Sequence, residues 1–385
     1  MNNEDLRKNE EQGRRRIKPA MLILWICLLL ALAGGLLWLL LRRRGNYSEM
    51  TLEKSYNISA GGQAQVQTFE KGLLRYSGDG VSFLSTDGRE QWNISSSMNA
   101  PQLVTQGEYG ALADLSGQTV VVFNKQGESG RYTTTDPIIG AAVSAGGVSA
   151  VALERDLNSL ICFYDKLGLK IDIEISLEMS VSGYPMAMAL SPDGSGLVLS
   201  MISSQGGNMN SQLVFYNFSV GRSETNRMVG FFNHEGRLLT QIDYLGGKRV
   251  AAVTDAGIEI YSLEQENKPV FQSQIAFPGE ITAYTAGQHH AAFLYPDPAS
   301  GDMMLSVYDE NGRHCFTQPA GGAVRKLALG SDLVLLQTEN RLNLWNYSGG
   351  VFFSGEVSRR GAPCFLFGRQ LIQLEGSQIH HIKFR

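Results

Sequence analysis

The stretch VVVFNKQG (120–127) runs through apolar residues to an aromatic, then turns on Asn, a polar pair and Gly. The same phrase recurs along the chain as VSFLSTDG (81–88), LICFYDKLG (160–168), LVFYNFSVG (213–221), LSVYDENG (305–312) and LNLWNYSG (342–349). A copy without the Gly, IEIYSLEQ (258–265), and a degenerate last copy, IHHIKFR (379–385), complete the set. Its large apolar residue falls at Leu84, Phe123, Tyr164, Tyr216, Tyr261, Tyr308, Trp345 and Ile382, at intervals of 37 to 52 residues. Alternation with period two, ended by Gly, Asn or Asp, specifies a strand and a turn.

Working outward from each copy, a second apolar run lies upstream, as in YGALADL (109–115) and RVAAVTD (249–255). Further upstream stands a third run rich in small residues, such as IIGAAVS (138–144) and MAMALS (186–191). In the second unit the strands are expected at Gln102–Gly107, Tyr109–Leu115, Thr119–Asn124 and Arg131–Thr135. A four-stranded repeat of this length is that of a β-propeller, with the small residues at its crowded axis. The fold class is therefore all-β, with eight four-stranded blades favoured and seven the alternative.

The last unit supplies three strands, PCFLFG (363–368), QLIQLEG (370–376) and QIHHIKFR (378–385), and lacks an outer one. SYNIS (55–59) resembles QWNIS (91–95), which follows the first marker as an outer strand, yet it has no inner strands before it. Residues 52–59 are thus expected to close the last blade and remove two open sheet edges. The propeller would span 52–385, behind a linker at 42–51.

Residues 19–41 contain no charge in 23 positions, enough for a transmembrane helix. A cleaved signal peptide is the rival reading, from Ala31-Leu32-Ala33, but the apolar run continues beyond it to Arg42-Arg43-Arg44. Six Lys/Arg precede the span (Arg7, Lys8, Arg14, Arg15, Arg16, Lys18) and four follow closely (Arg42, Arg43, Arg44, Lys54). The expectation is a single-pass protein of the cell membrane, with residues 1–18 a cytoplasmic tail and the propeller extracytoplasmic.

This layout resembles an uncharacterised bacterial single-pass membrane family with an exported PQQ-like or WD40-like propeller. The resemblance rests on the basic tail, the single span, the SPDGSGLVLS turn (191–200) and STDGREQW (85–92). It implies no known substrate.

Beyond residue 44 the chain holds 24 Lys/Arg against 33 Asp/Glu, with no basic stripe, so nucleic acid is not an expected partner. Quinoprotein oxidoreductases carry Trp-bearing turns in most blades, whereas this chain has four Trp in all, and no cofactor is expected. His289-His290 and His380-His381 are strand neighbours that point to opposite faces, which argues against chelation. His234 and His314 stand alone, at expected turn or blade-edge positions. Asp79, Asp87, Asp193, Asp255 and Asp309 sit where Asx turns need a carboxylate. Cys162, Cys315 and Cys364 are too widely spaced for a zinc pattern or a disulfide framework. No nucleophile elbow or phosphate loop occurs.

Two inter-strand segments are overlong, SSQGGNMN (203–210) and YPDPASGD (295–302). Their Asn208, Asn210, Asp297 and Asp302 are candidate recognition residues. The functional expectation is a membrane-anchored, non-catalytic scaffold binding an envelope protein or glycan. The alternatives are a quinoprotein-like oxidoreductase, a metal-assisted hydrolase, or a membrane sensor recruiting a cytoplasmic partner.

Overall fold

A computed structural model describes residues 47–385 apart from 59–63, 206–207, 220–226, 256, 266–267 and 358, together with Trp25, Leu28–Leu30 and Gly34. The chain divides into two units, Met1–Asn46 and Tyr47–Arg385. In the first, the described residues are helical. Among the described residues no helix is long and apolar enough to cross a membrane, which corrects the expected single-pass membrane localisation. Apart from those five positions, the span at 19–41 lies outside the described residues, as does the tail at 1–18.

The second unit is an all-β propeller of eight four-stranded antiparallel sheets. Blades 1 to 7 each use four consecutive strands, beginning with Gln65–Phe69, Gly72–Ser77, Gly80–Ser85 and Glu90–Ser95 in blade 1. In blade 2 the strands are Pro101–Gln106, Tyr109–Asp114, Thr119–Asn124 and Gly127–Thr133, close to the sequence-based bounds except that the outer one starts earlier. Blade 8 takes three strands from the C-terminal end, Cys364–Phe367, Gln370–Glu375 and Gln378–Phe384, and its outer strand, Met50–Asn57, from the other end of the unit.

The closing strand pairs antiparallel with Gln378–Phe384 from Met50↔Phe384 to Asn57↔Gln378. Ser55 Oγ and His380 Nδ1 are 2.8 Å apart across this pair. Residues expected as linker contribute too, because Tyr47 N–H donates to Phe352 O (2.9 Å) and its ring packs edge-on against Phe352. On the other side, His381 Nε2 reaches Thr86 O of blade 1 at 2.7 Å.

A register shift marks the junction of third and fourth strands in every blade. It falls at Phe83/Leu84, Val122/Phe123, Phe215/Tyr216, Ile260/Tyr261, Val307/Tyr308 and Leu344/Trp345, and at Cys162/Phe163, one residue early, in blade 3. The recurrent aromatic of the sequence therefore sits beside a bulge, which adds local twist and bends the outer strand. Blade 8 has the same shift, between Leu52 and Lys54. It also shows that SYNIS and QWNIS are not equivalent in space. Trp92 faces Phe83, one place before the marker, and the corresponding partner of His381 is Lys54, two residues ahead of Tyr56.

Core residues form eight clusters among the described residues, and each straddles one junction between adjacent blades. Strand alternation explains this, since successive side chains face opposite neighbours. Fully buried Phe123, Phe163, Phe215 and Phe293 occupy these seams. Glycine is required at some turns: Gly80 has φ +124°, and a Cβ there would lie 2.0 Å from Ile94 O.

Loss of the closing strand exposes the edge of Gln378–Phe384 and opens the ring. A chain starting at residue 64 is expected to unfold at lower denaturant concentration than the full chain, or to aggregate. Equal denaturation midpoints and m-values would show that the strand does not hold the ring.

Candidate functional site

The innermost strands surround a central channel of about 1140 Å³. Most of its wall is small or neutral, including Ala141, Ala142, Ala189 and Ala328 with Gln65, Gln67 and Gln241. Gln67 Nε2 donates to Thr105 Oγ1 (2.9 Å), joining blades 1 and 2 at the channel. Only two charged residues line it among those described, Asp243 on blade 5 and Lys326 on blade 7.

Asp243 is half-buried, and burial raises its pKa to about 6. A hydrogen bond from the Tyr284 phenol, on blade 6, holds that value down in part, and the phenol itself is pushed well above the ordinary tyrosine range by burial and by Asp243. That bond is outside ideal geometry, and Asp243 Oδ2 and Tyr284 Oη, both sealed from solvent, have no other partner. Gln106 Oε1 on blade 2 is in the same condition, although its Nε2 donates to Leu190 O (3.3 Å). Lys326 Nζ lies 3.2 Å from the centroid of the Phe365 ring. Burial lowers its pKa to about 8, while burial raises that of neighbouring Cys364 to about 12.

A second polar cluster joins blades 4 and 5 beside a cavity of about 380 Å³. His234 Nε2 is 2.7 Å from Glu259 Oε2, and Tyr261 Oη donates to the same oxygen at 2.5 Å. Arg237 Nη1 stands 3.6 Å from Glu259 Oε1. Burial pushes the Glu259 carboxyl upward, but the hydrogen bonds and nearby positive charge prevail and hold it below the usual range. His234 thus lies on the outer strand of blade 4, at the expected blade edge, but it is buried between blades and not isolated; its Nδ1 is unpartnered.

A third feature is a groove of about 810 Å³ between the outer parts of blades 3 and 4. Ile173, Ile175, Met201 and Phe218 line it, with exposed Val181 (66%), Phe231 (45%) and Met228 (41%). Val181 belongs to a one-turn helix, Met179–Ser182, that follows the outer strand of blade 3. Asp172 and Glu174 line the groove from blade 3, and Arg227 faces the Phe218 ring from blade 4 at 5.9 Å.

The residues singled out from sequence are differently employed. Asn208 and Asn210 lie in a strand, because the expected loop continues the hairpin through Ser203↔Asn210 and Gln205↔Asn208. Asn210 Oδ1 accepts Gly236 N–H at 3.1 Å. Asp297 accepts from Ser300 Oγ (2.9 Å) and Ala299 N–H (3.3 Å), and these bonds hold its carboxyl below the usual range. Asp302 donates its N–H to Ser300 Oγ (3.2 Å) and closes the same turn. Asp193 and Asp309 serve Asx turns: Asp309 Oδ1 accepts from Asn311 and Arg313, both at 2.9 Å. His289 Nδ1 meets Glu310 Oε2 (2.6 Å), while His290 stacks on Tyr347 with ring centroids 3.7 Å apart. Cys162, Cys315 and Cys364 are free thiols. Among the described residues no three His, Cys, Asp or Glu side chains gather as a metal site.

Asp243, Lys326 and Glu259 were not singled out from sequence. Their signal was there: LTQIDYL (239–245), VRKLAL (324–329) and GIEIYS (257–262) each place an ionisable residue inside an otherwise strand-like run.

A family profile described as a family of unknown function, DUF5711, matches residues 42–384. The chain belongs to this family. Among curated proteins none matches it by sequence. Solved propellers share the DUF5711 chain's fold at 11–12% identity. The Dos1 propeller aligns at 12% identity with TM-score 0.55, covering 87% of this chain and 95% of its own. Chaetomium thermophilum Sqt1, solved bound to the N-terminus of ribosomal protein L10, aligns at 12% identity and TM-score 0.51 over 83% of this chain and 92% of its own. KlAtg21, in complex with the coiled coil of AgAtg16, gives 11% identity and TM-score 0.51 over 80% and 97%.

Because Asp243 has a raised pKa in the folded state, its ionisation opposes folding as pH rises through about 6, and the penalty is absent at pH well below the unfolded-state value near 4. Asp243→Asn is expected to gain about 1–2 kcal/mol at pH 7.5, discounted for residual contact with channel water. That gain should vanish by about pH 4. Denaturant unfolding of both proteins across this range checks it; a pH-independent difference contradicts the burial argument.

Proposed function

We propose that this propeller is a non-catalytic binding scaffold whose partner is a protein, seated in the groove between blades 3 and 4. The observation that carries this reading is the exposure of Val181, Met228 and Phe231 around one depression of mixed polar and apolar lining. Large side chains grouped in this way mark interaction surfaces more than scattered ones do. Among the described residues the outer strands Lys170–Glu178 and Met228–Glu235 are each paired on one side, and the open edge of Val229–Glu235 offers backbone groups to an added strand.

The partner class follows from charge and shape. An extended segment with an apolar residue at every second position would fill the groove, and Lys or Arg beside it would meet Asp172, since Glu174 is already paired with Lys170. The excess of Asp and Glu beyond residue 44 favours a basic partner in the same way. Precedent for protein binding comes from the Sqt1 and KlAtg21 complexes, whose similarity to this chain extends to the fold alone.

The outer strand of blade 4 runs beside the groove to Asn210↔Glu235, so the hairpin bearing Asn208 and Asn210 is proposed as its upper rim. Asp297 and Asp302 occupy the corresponding turn of blade 6 and are proposed as an outlying contact.

Quantitative capture from a native extract should compare the natural protein with Phe231→Arg and with Val351→Arg, a control on the outer strand of blade 7. A partner retained by the natural protein and by Val351→Arg should fall about tenfold or more with Phe231→Arg, a loss of about 1.4 kcal/mol. Circular dichroism and unfolding of each variant verify the fold. Undiminished retention by Phe231→Arg would remove the groove from the function.

A further inference from the structure

We propose that the central channel binds a small zwitterion, an amino acid or short peptide, with its ammonium on Asp243 and its carboxylate on Lys326. Charge on the channel wall is the first argument. Asp243 and Lys326 are its only charged lining residues among those described, they are opposite in sign, and they make no ion pair with one another. A lone desolvated charge is costly, and a propeller core has no structural need of one. Asp243 is met by a phenol out of hydrogen-bond geometry, and Lys326 by the face of Phe365. Each is a half-satisfied group facing the same space.

Unmet hydrogen-bonding capacity is the second argument. Gln106 Oε1, Asp243 Oδ2 and Tyr284 Oη come from blades 2, 5 and 6 and all belong to residues lining the channel. Two of the three only accept hydrogen bonds, and the third can donate or accept. Rotation of the Asp243 carboxyl away from Tyr284, on the adjacent blade, would present it to a primary ammonium, which donates three. Buried polar atoms left without partners call for an explanation, and a water, an ion or a ligand can complete the set.

Size and charge balance select the ligand class. At about 1140 Å³ the channel lies just above the usual range for small-molecule sites, so an amino acid would share it with water and a tripeptide would fit. A simple cation would be repelled by Lys326 and a simple anion by Asp243. A ligand carrying both charges satisfies both, and the neutral amides of Gln65, Gln67, Gln241 and Gln288 suit a peptide backbone between them. This site is separate from the blade 3–4 groove, and neither proposal depends on the other.

Calorimetric titration of the full chain with glycine, diglycine, triglycine, ethylamine and propionate tests it. At least one of the three zwitterions should bind with Kd below about 1 mM, and ethylamine and propionate should each bind about tenfold weaker or worse. Asp243→Asn and Lys326→Met should each weaken the zwitterion about tenfold, while Phe231→Arg leaves it unchanged. The comparison between zwitterions and one-ended ligands uses the natural protein, so it holds even if a variant misfolds. The proposal is overturned by no zwitterion binding up to about 10 mM, by ethylamine or propionate binding equally well, or by zwitterion affinity that survives both channel substitutions.

Discussion

The pairing of Met50–Asn57 with Gln378–Phe384 is the contact on which the propeller depends. Each blade buries one face against the blade before it and one against the blade after it. Such an arrangement has no stable end, since a terminal blade would leave a whole apolar face in water. Closing the eighth sheet with a strand from the other end of the unit brings blade 8 against blade 1. Their seam is then filled by Leu73, Leu84, Phe365, Ile372 and Ile379. The seal is reinforced by Ser55 with His380 and by His381 with Thr86, so the last paired histidines of the chain serve ring closure, each on its own face of the strand.

Once the ring is closed, every strand position has an assigned role, and departures from it become informative. Inner and middle strands supply seam residues that are nearly all aliphatic or aromatic. Glu259 departs from this rule but is answered by His234, Tyr261 and Arg237, which bind blade 4 to blade 5. Asp243 and Lys326 depart from it with only partial answers, the Tyr284 phenol and the Phe365 ring face, and no opposite charge. A carboxylate and an ammonium that weaken the fold they sit in are the pattern expected of a binding site, where stability is traded for recognition.

The two proposed surfaces use different physics. In the channel the side chains are held on rigid strands around a fixed axis, and the discriminating forces are desolvated charge and hydrogen bonding. On the rim of blades 3 and 4 the driving force is apolar burial with one-sided strand edges, and selectivity comes from the flanking acidic groups. A propeller accommodates both because its axis and its outer circumference are far apart in the same sheet, each strand reporting to one or the other.

The eight blades and most strand bounds were legible in the sequence because alternation and turn chemistry are local. A phrase such as LNLWNYSG carries its strand, its bulge residue and its turn within eight positions. The need for a closing strand was legible too, from a final unit one strand short. Its register was not: the likeness of SYNIS to QWNIS is offset by two residues from their spatial equivalence, because register is set by pairing across the sheet and by the bulge at Glu53. The overlong segment at 203–210 looked like a loop, yet it continues a hairpin as far as Gln205↔Asn208. The polar sites were beyond reach for a related reason. His234 and Glu259 are 25 residues apart, and Asp243, Tyr284 and Lys326 fall on three different blades, so nothing local links them. The sequence by itself determined the repeat, the strands and the deficit that closure must repair, since these follow from neighbouring residues. Tertiary structure alone decided which charges meet and which stay unanswered, since that depends on how the ring brings distant strands to one axis.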